Sequence, residues 1–164
     1  MNRNNIKGNK KNMLKKPEGA NSTKENNQTT ENPPSEELKN RIKKAVEGLY
    51  YSSETDAEIT VFVGLSAETV DKEEVRRQTE AAADSPVEEK DFKEFFARLT
   101  EIKDWYEDEE KKNVQKFIQL KELLENNIRS LKVFRIGKTE LDIYAVGLDA
   151  ENTLIGIKTK AVET

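Results

Sequence analysis

The 164-residue chain carries 28 Lys/Arg and 32 Asp/Glu, for a net charge of −4, and it contains neither Cys nor His. The lack of Cys excludes disulfides and thiolate chemistry, and the lack of His removes the commonest general base and the commonest zinc ligand. A chain of this length favours one domain with an appended segment.

Composition changes sharply after the two prolines that end at Pro34. Residues 1–34 contain nine Asn, seven Lys/Arg and three Asp/Glu, for a net charge of +4. Residues 35–164 contain 21 basic and 29 acidic residues, for a net charge of −8. Because the first segment has too few apolar residues to offset the entropy of ordering, we predict a disordered Lys/Asn-rich tail over 1–34 and a folded domain over 35–164.

The acidic charge of the domain narrows the class of partner. Phosphate backbones repel such a surface and basic clefts attract it, so we expect a basic protein partner and no direct nucleic-acid contact. No apolar run reaches the length of a signal sequence or a membrane span, which predicts a cytoplasmic protein without membrane contact. We expect no cofactor and a monomer when the protein is free.

The first half of the domain is predicted to follow the order helix, loop, strand, helix, loop and helix. Ser35, before two glutamates, and Asp91, before a row of phenylalanines, are typical helix N-caps. The helices show apolar residues on one face, and the strand is β-branched and alternating. The approximate ranges are 35–49, 52–56, 59–63, 70–79, 81–86 and 91–99.

The second half continues as one long helix followed by three strands. Short connections between these strands predict antiparallel pairing. The approximate ranges are 114–128, 131–136, 141–146 and 154–162. Together with the earlier strand, they predict an α+β fold, an α/β/α layered sandwich with a mainly antiparallel four-stranded sheet.

The segment DWYEDEE at 104–110 sets Trp105 and a tyrosine among five carboxylates. In one interpretation Trp105 packs between two helices and the acids begin the second helix. In another it is an exposed anchor whose charged rim steers a basic partner. A metal loop is disfavoured, because consecutive acids on a helix point in different directions.

The last predicted strand runs almost to the end of the sequence, at Glu163 and Thr164. One interpretation is simply a compact terminus. In the other, the strand holds the Thr164 hydroxyl and carboxylate at a fixed place, where they form a short oxygen-bearing probe.

Several stretches resemble the nuclease A inhibitor family, small proteins that inhibit a sugar-non-specific, Mg²⁺-dependent bacterial nuclease. They are GLxxxSE at 48–54, DWYEDEE at 104–110, FRIGxxELDIY at 134–144 and LxGIxTKxVET at 154–164. The resemblance covers about residues 35–164. It implies an α/β/α sandwich that fills the nuclease active site as an acidic plug and has no enzymatic activity of its own.

The resemblance also implies contact residues. Glu54, Trp105 and Thr164 match family contact positions, and the terminal Thr of the family reaches the catalytic metal of the nuclease. Thr164 is therefore expected to contact the metal of the partner, since Mg²⁺ prefers oxygen donors. The expected partner-binding residues are Glu54, Trp105, Glu107, Asp108, Glu163 and Thr164; none is expected to be catalytic.

Two other functions stay open from the sequence. An inhibitor-like domain could serve as an interaction module for another basic or metal-containing protein. A carboxylate-based hydrolase is a weaker alternative, because the chain offers no His, no Cys and no phosphate-binding loop.

Overall fold

The structure is a computed structural model that describes residues 34–164, so the predicted tail lies outside the described residues except for Pro34. Residues 38–164 form one unit. The described part contains four helices: α1 (Pro34–Ala45), α2 (Lys72–Thr79), α3 (Phe92–Leu99) and α4 (Asp108–Asn127). Its strands are β1 (Tyr50–Ser52), β2 (Asp56–Glu58), β3 (Thr60–Ser66), β4 (Val87–Lys90), β5 (Arg129–Gly137), β6 (Glu140–Leu148) and β7 (Thr153–Val162). The predicted α+β class is confirmed.

The main sheet has the strand order β3-β7-β6-β5-β4, and every neighbouring pair is antiparallel. The prediction of four strands is wrong, because β4 adds a fifth strand through pairs such as Glu88 with Arg135. Three of its four residues are charged, so it lacks the apolar alternation that marks a strand. An edge strand tolerates such charges, since one of its long edges has no neighbouring strand and faces solvent.

The segment after the first helix also differs from the prediction. The apolar pattern predicted a helix as far as Leu49, whereas α1 ends at Ala45 and Gly48 turns the chain with a φ of 76°. Leu49 is buried outside the helix. Residues 53–55 of the loop predicted at 52–56 form the turn of a separate hairpin, whose strands β1 and β2 were not predicted.

Buried apolar residues divide into two clusters along the sheet. Val133 and Ala145 belong to the larger cluster, with residues of α1, α3 and α4. Their neighbours Phe134 and Val146 belong to the smaller cluster, with Val75 of α2. Because successive residues of a strand point to opposite faces, the sheet buries apolar side chains on both faces. Within the described residues, no helix is both long and apolar enough to cross a bilayer.

Candidate partner-binding site

The turn of the β1–β2 hairpin is joined to the last strand by backbone and side-chain hydrogen bonds. The Ser53 hydroxyl oxygen accepts the Val162 N–H at 3.0 Å, and the Glu54 N–H donates to the Val162 carbonyl at 3.2 Å. Within the turn, the Ser53 N–H donates to the Thr55 carbonyl at 2.8 Å. The hairpin turn therefore has a fixed position beside the end of β7.

Glu54 and Thr164 are in direct contact. The Oε2 atom of Glu54 accepts the Thr164 N–H at 2.7 Å and the Thr164 hydroxyl at 2.9 Å. Two residues 110 positions apart in sequence thus meet at one carboxylate oxygen. We call Ser53, Glu54 and residues 162–164 the tip.

The contact also changes the acidity of Glu54. The N–H and hydroxyl of Thr164 donate to its carboxylate and hold the pKa of Glu54 below its ordinary value, because both bonds favour the charged form. Glu54 is exposed, so solvent limits how far the contact stabilises the fold. The tip therefore presents a charged carboxylate at neutral pH.

Glu163 is held by residues outside the tip. Its N–H donates to the Thr139 carbonyl at 2.9 Å, and its Oε1 accepts a close hydrogen bond from the Arg135 guanidinium. Arg135 also lies 3.8 Å from Glu88 of β4, measured between nitrogen and oxygen. The last two residues of the sequence consequently have partners on three different segments.

Two of the surface depressions share Ser52, the residue just before the tip. A cleft of about 400 Å³ is lined by Ser52, Arg135, Glu163 and the stacked rings of Tyr51 and Phe95, among others. An open groove of about 960 Å³ is also lined by Ser52, together with Tyr106 and Glu107. Ser52 thus lies between the cleft next to Glu163 and the groove next to the start of α4.

Trp105 lies in the segment between α3 and α4, and 71% of its surface is exposed. Its ring meets the Tyr106 ring edge-on at 6.2 Å, and the Lys103 ammonium lies 5.7 Å from its centroid. The interpretation that Trp105 packs between two helices is therefore wrong. We call residues 101–107 the Trp105 loop.

Two of the predicted acidic residues stand where the Trp105 loop enters α4. The Glu107 N–H donates to the Glu110 carboxylate at 2.6 Å, and Asp108 is the first residue of the helix. Both residues are exposed, and negative charge at a helix N-terminus is favourable to the helix dipole. Their carboxylates are spread along an exposed helix start, and within residues 34–164 no group of three acidic residues could hold a metal ion.

Sequence reasoning missed two residues of this site, Ser53 and Arg135. A usable signal existed for Arg135, because strand alternation places it on the same face as the buried Val133. An arginine at a core-facing position indicates a specific partner for its guanidinium. Nothing in the sequence indicates that Ser53 bonds a strand more than 100 residues away.

Comparison with known proteins gives one family match. The model of the family described as nuclease A inhibitor-like protein matches residues 36–164. No curated protein matches the chain. The matched range includes all of the predicted partner-binding residues.

Proposed function

We propose that this chain, which belongs to the nuclease A inhibitor-like protein family, inhibits a metal-dependent, sugar-non-specific nuclease that degrades DNA and RNA. In this proposal the chain fills the active site of the nuclease as an acidic plug and has no catalytic activity of its own. The metal ion belongs to the nuclease. The observation that carries the proposal is the contact of Glu54 with the N–H and hydroxyl of Thr164.

The contact leaves the Thr164 oxygen ready to accept. Its hydroxyl hydrogen is used in the bond to Glu54, so the lone pairs of the oxygen are the groups left for an incoming ligand. Mg²⁺ takes oxygen donors and keeps exchangeable waters. A hydroxyl can replace one of these waters as a ligand or form a hydrogen bond to it. We propose that Thr164 meets the nuclease metal in this way.

Charge supports an orientation in which the tip enters the nuclease active site. A nuclease active site is basic where the phosphate binds, and the domain of residues 35–164 has a net charge of −8. Glu54 supplies an anion at the tip, in the position that a phosphate of the substrate would occupy in the nuclease. The inhibitor thereby imitates the charge of the substrate without offering a bond to cleave.

The Trp105 loop is proposed as a second contact. An exposed tryptophan supplies a large apolar area at an interface, and acidic neighbours such as Glu107 and Asp108 steer a basic partner.

The proposal also includes the α/β/α layered sandwich, supported by the apolar clusters on both faces of the sheet. We further propose that the protein acts as a cytoplasmic monomer.

Titration of the chain into a purified nuclease tests the proposal. Hydrolysis of DNA and of RNA should both fall linearly to near zero at one equivalent, and the chain alone should hydrolyse neither. Glu54→Gln should inhibit more weakly, whereas Glu151→Gln, which removes an equal charge from the turn at the other end of β7, should inhibit like the parent. Hydrolysis by the chain itself would support the carboxylate hydrolase instead. Unchanged nuclease activity at excess inhibitor would reject the proposal for that nuclease.

A further inference from the structure

We propose that Arg135 is a positioning residue, which holds the Glu163–Thr164 end of the tip in the conformation that a partner binds. This inference rests on the proposed function, because the partner is the nuclease of that proposal. The role is carried out through Glu163, and Arg135 itself is not assigned a contact with the partner.

Arg135 reaches the tip from a distant strand. It lies on β5, and β6 separates it from β7 in the sheet. Its guanidinium nevertheless bonds the Glu163 carboxylate beyond the end of β7 and lies 3.8 Å from Glu88 of the edge strand β4. One side chain therefore links the last residues of the sequence to the edge strand β4.

The Arg135 side chain is only 21% exposed, and its Nε atom is buried without a hydrogen-bond partner among residues 34–164. A buried donor without a partner costs stability, so this arrangement is not the one that stability alone would favour. Its carboxylate partner Glu163 is 46% exposed, and ion pairs that reach solvent contribute little to folding. What the pair does contribute is a fixed direction for Glu163.

Arg135 is also one of several separate restraints on adjacent residues. Glu163 is bound through its N–H by Thr139 and through its carboxylate by Arg135, while Thr164 is bound by Glu54. An end fixed before binding avoids the entropy cost of ordering during binding. Loss of one restraint lowers the fraction of molecules in the competent conformation and reduces the apparent affinity by that fraction.

Charge and positioning predict opposite results for Arg135→Met. The substitution keeps an unbranched apolar stem and makes the domain one unit more negative. If Arg135 mattered only through charge, association with a basic cleft would become faster. If Arg135 positions the tip, association becomes slower, by about threefold to tenfold, because fewer molecules are competent.

The test measures the free protein first. In ¹⁵N relaxation experiments, Arg135→Met should lower the order parameters of the Glu163 and Thr164 amides from about 0.8 toward about 0.6. The matched control is Arg77→Met, which removes a similar Arg–Glu pair from α2, beside the turn at the other end of β7. It should leave both amides unchanged. Arg135→Lys should restore part of the order, since it keeps one charge but not the fork.

Kinetics with the nuclease complete the test. Slower association for Arg135→Met, with a melting temperature within about 3 °C of the parent, supports positioning. Faster or unchanged association, or weaker inhibition with an unchanged tip in the free protein, overturns it. If the parent inhibits no nuclease, the proposed function fails, and the order parameters alone decide whether Arg135 fixes the tip.

Discussion

The tip and the Trp105 loop, the two regions that we propose for partner binding, are built in opposite ways. Glu54 and Thr164 are exposed but bonded to each other at 2.7 and 2.9 Å. Trp105 is more exposed than any other large apolar residue in residues 34–164, and its ring lies against its neighbour Tyr106 and near the Lys103 ammonium. A region with fixed geometry suits a directional contact with a metal, whereas an exposed aromatic ring among charges suits contact area and steering.

Removal of Thr164 should have the largest effect on binding. Truncation of a central interface residue costs roughly 2–4 kcal/mol, so Kd should rise by about 30-fold to several-hundredfold. Stability should change little, because Thr164 is exposed. Kd from inhibition titrations and melting temperature measure the two effects.

Thr164→Val separates the hydroxyl from the rest of the residue. The variant keeps the N–H bond to Glu54 and loses the hydroxyl, so a large part of the binding loss should remain. Extending the sequence beyond Thr164 should also weaken binding, because added residues would obstruct the approach to the metal. If the deletion, the extension and Thr164→Val all inhibit like the parent, the plug mechanism is wrong.

Trp105→Ala should have an intermediate effect. Loss of an exposed aromatic anchor should raise Kd by about 10- to 30-fold while the melting temperature stays near that of the parent. The matched control is Leu65→Ala, which removes a 67% exposed apolar residue from the edge strand β3 and should leave Kd unchanged. Trp105 fluorescence should also shift when the nuclease is added; a lack of both responses would remove the Trp105 loop from the interface.

Neutralising acids at the start of α4 should have a smaller, kinetic effect. Asp108→Asn with Glu109→Gln should slow association by about twofold to fivefold at low salt, and salt should abolish the difference because it screens steering. Glu122→Gln with Glu125→Gln removes the same charge from exposed positions further along the same helix, and it should slow association less. Equal effects of the two pairs would show that net charge, and not the acidic start of α4, steers the partner.

The smallest and most local effect should be the one that Thr164→Val has on the pKa of Glu54. Its pKa should lie below the ordinary value of 4.5, and Thr164→Val should raise it toward that value, because one of two donors is lost. The contact stabilises the folded state above about pH 4.5, and this contribution is lost as the pH falls through the lowered pKa of Glu54 in the folded state. NMR titration of the Glu54 carboxyl checks this; an unchanged pKa in the variant would mean that the hydroxyl does not bond Glu54 in solution.

The sequence predicted those elements whose local pattern agrees with the fold. Asp91 caps α3 by accepting the Glu94 N–H at 2.9 Å, and Phe92 and Phe96 behind it are buried, as their spacing indicates. The three strands of the second half were also predicted, with boundaries within two residues of those observed. Strand β4 was missed because its charged residues carry no apolar period, so its place depends on pairing with β5.

Much less of the site could be predicted from local pattern. Glu54 and Thr164 lie 110 residues apart, and only the folded sheet brings the hairpin turn to the end of β7. The resemblance to the family singled out both residues as contact positions, without indicating that they bond each other. The exposure of Trp105 was one of two open interpretations, because an aromatic residue between two helices can pack inward or project outward.

A distance measurement from the nuclease metal to the tip tests directly whether the tip meets that metal. With Mn²⁺ in place of Mg²⁺ in the nuclease, paramagnetic relaxation should broaden the Thr164 and Glu163 amide signals of the bound chain most strongly. Asn152, at the other end of β7 and roughly 30 Å away, should be almost unaffected, and the Mg²⁺ complex supplies the diamagnetic reference. If Thr164 meets the nuclease metal, broadening should decline along β7 from Thr164 to Asn152. Sharp Thr164 and Glu163 signals in a complex that is still inhibited would contradict it.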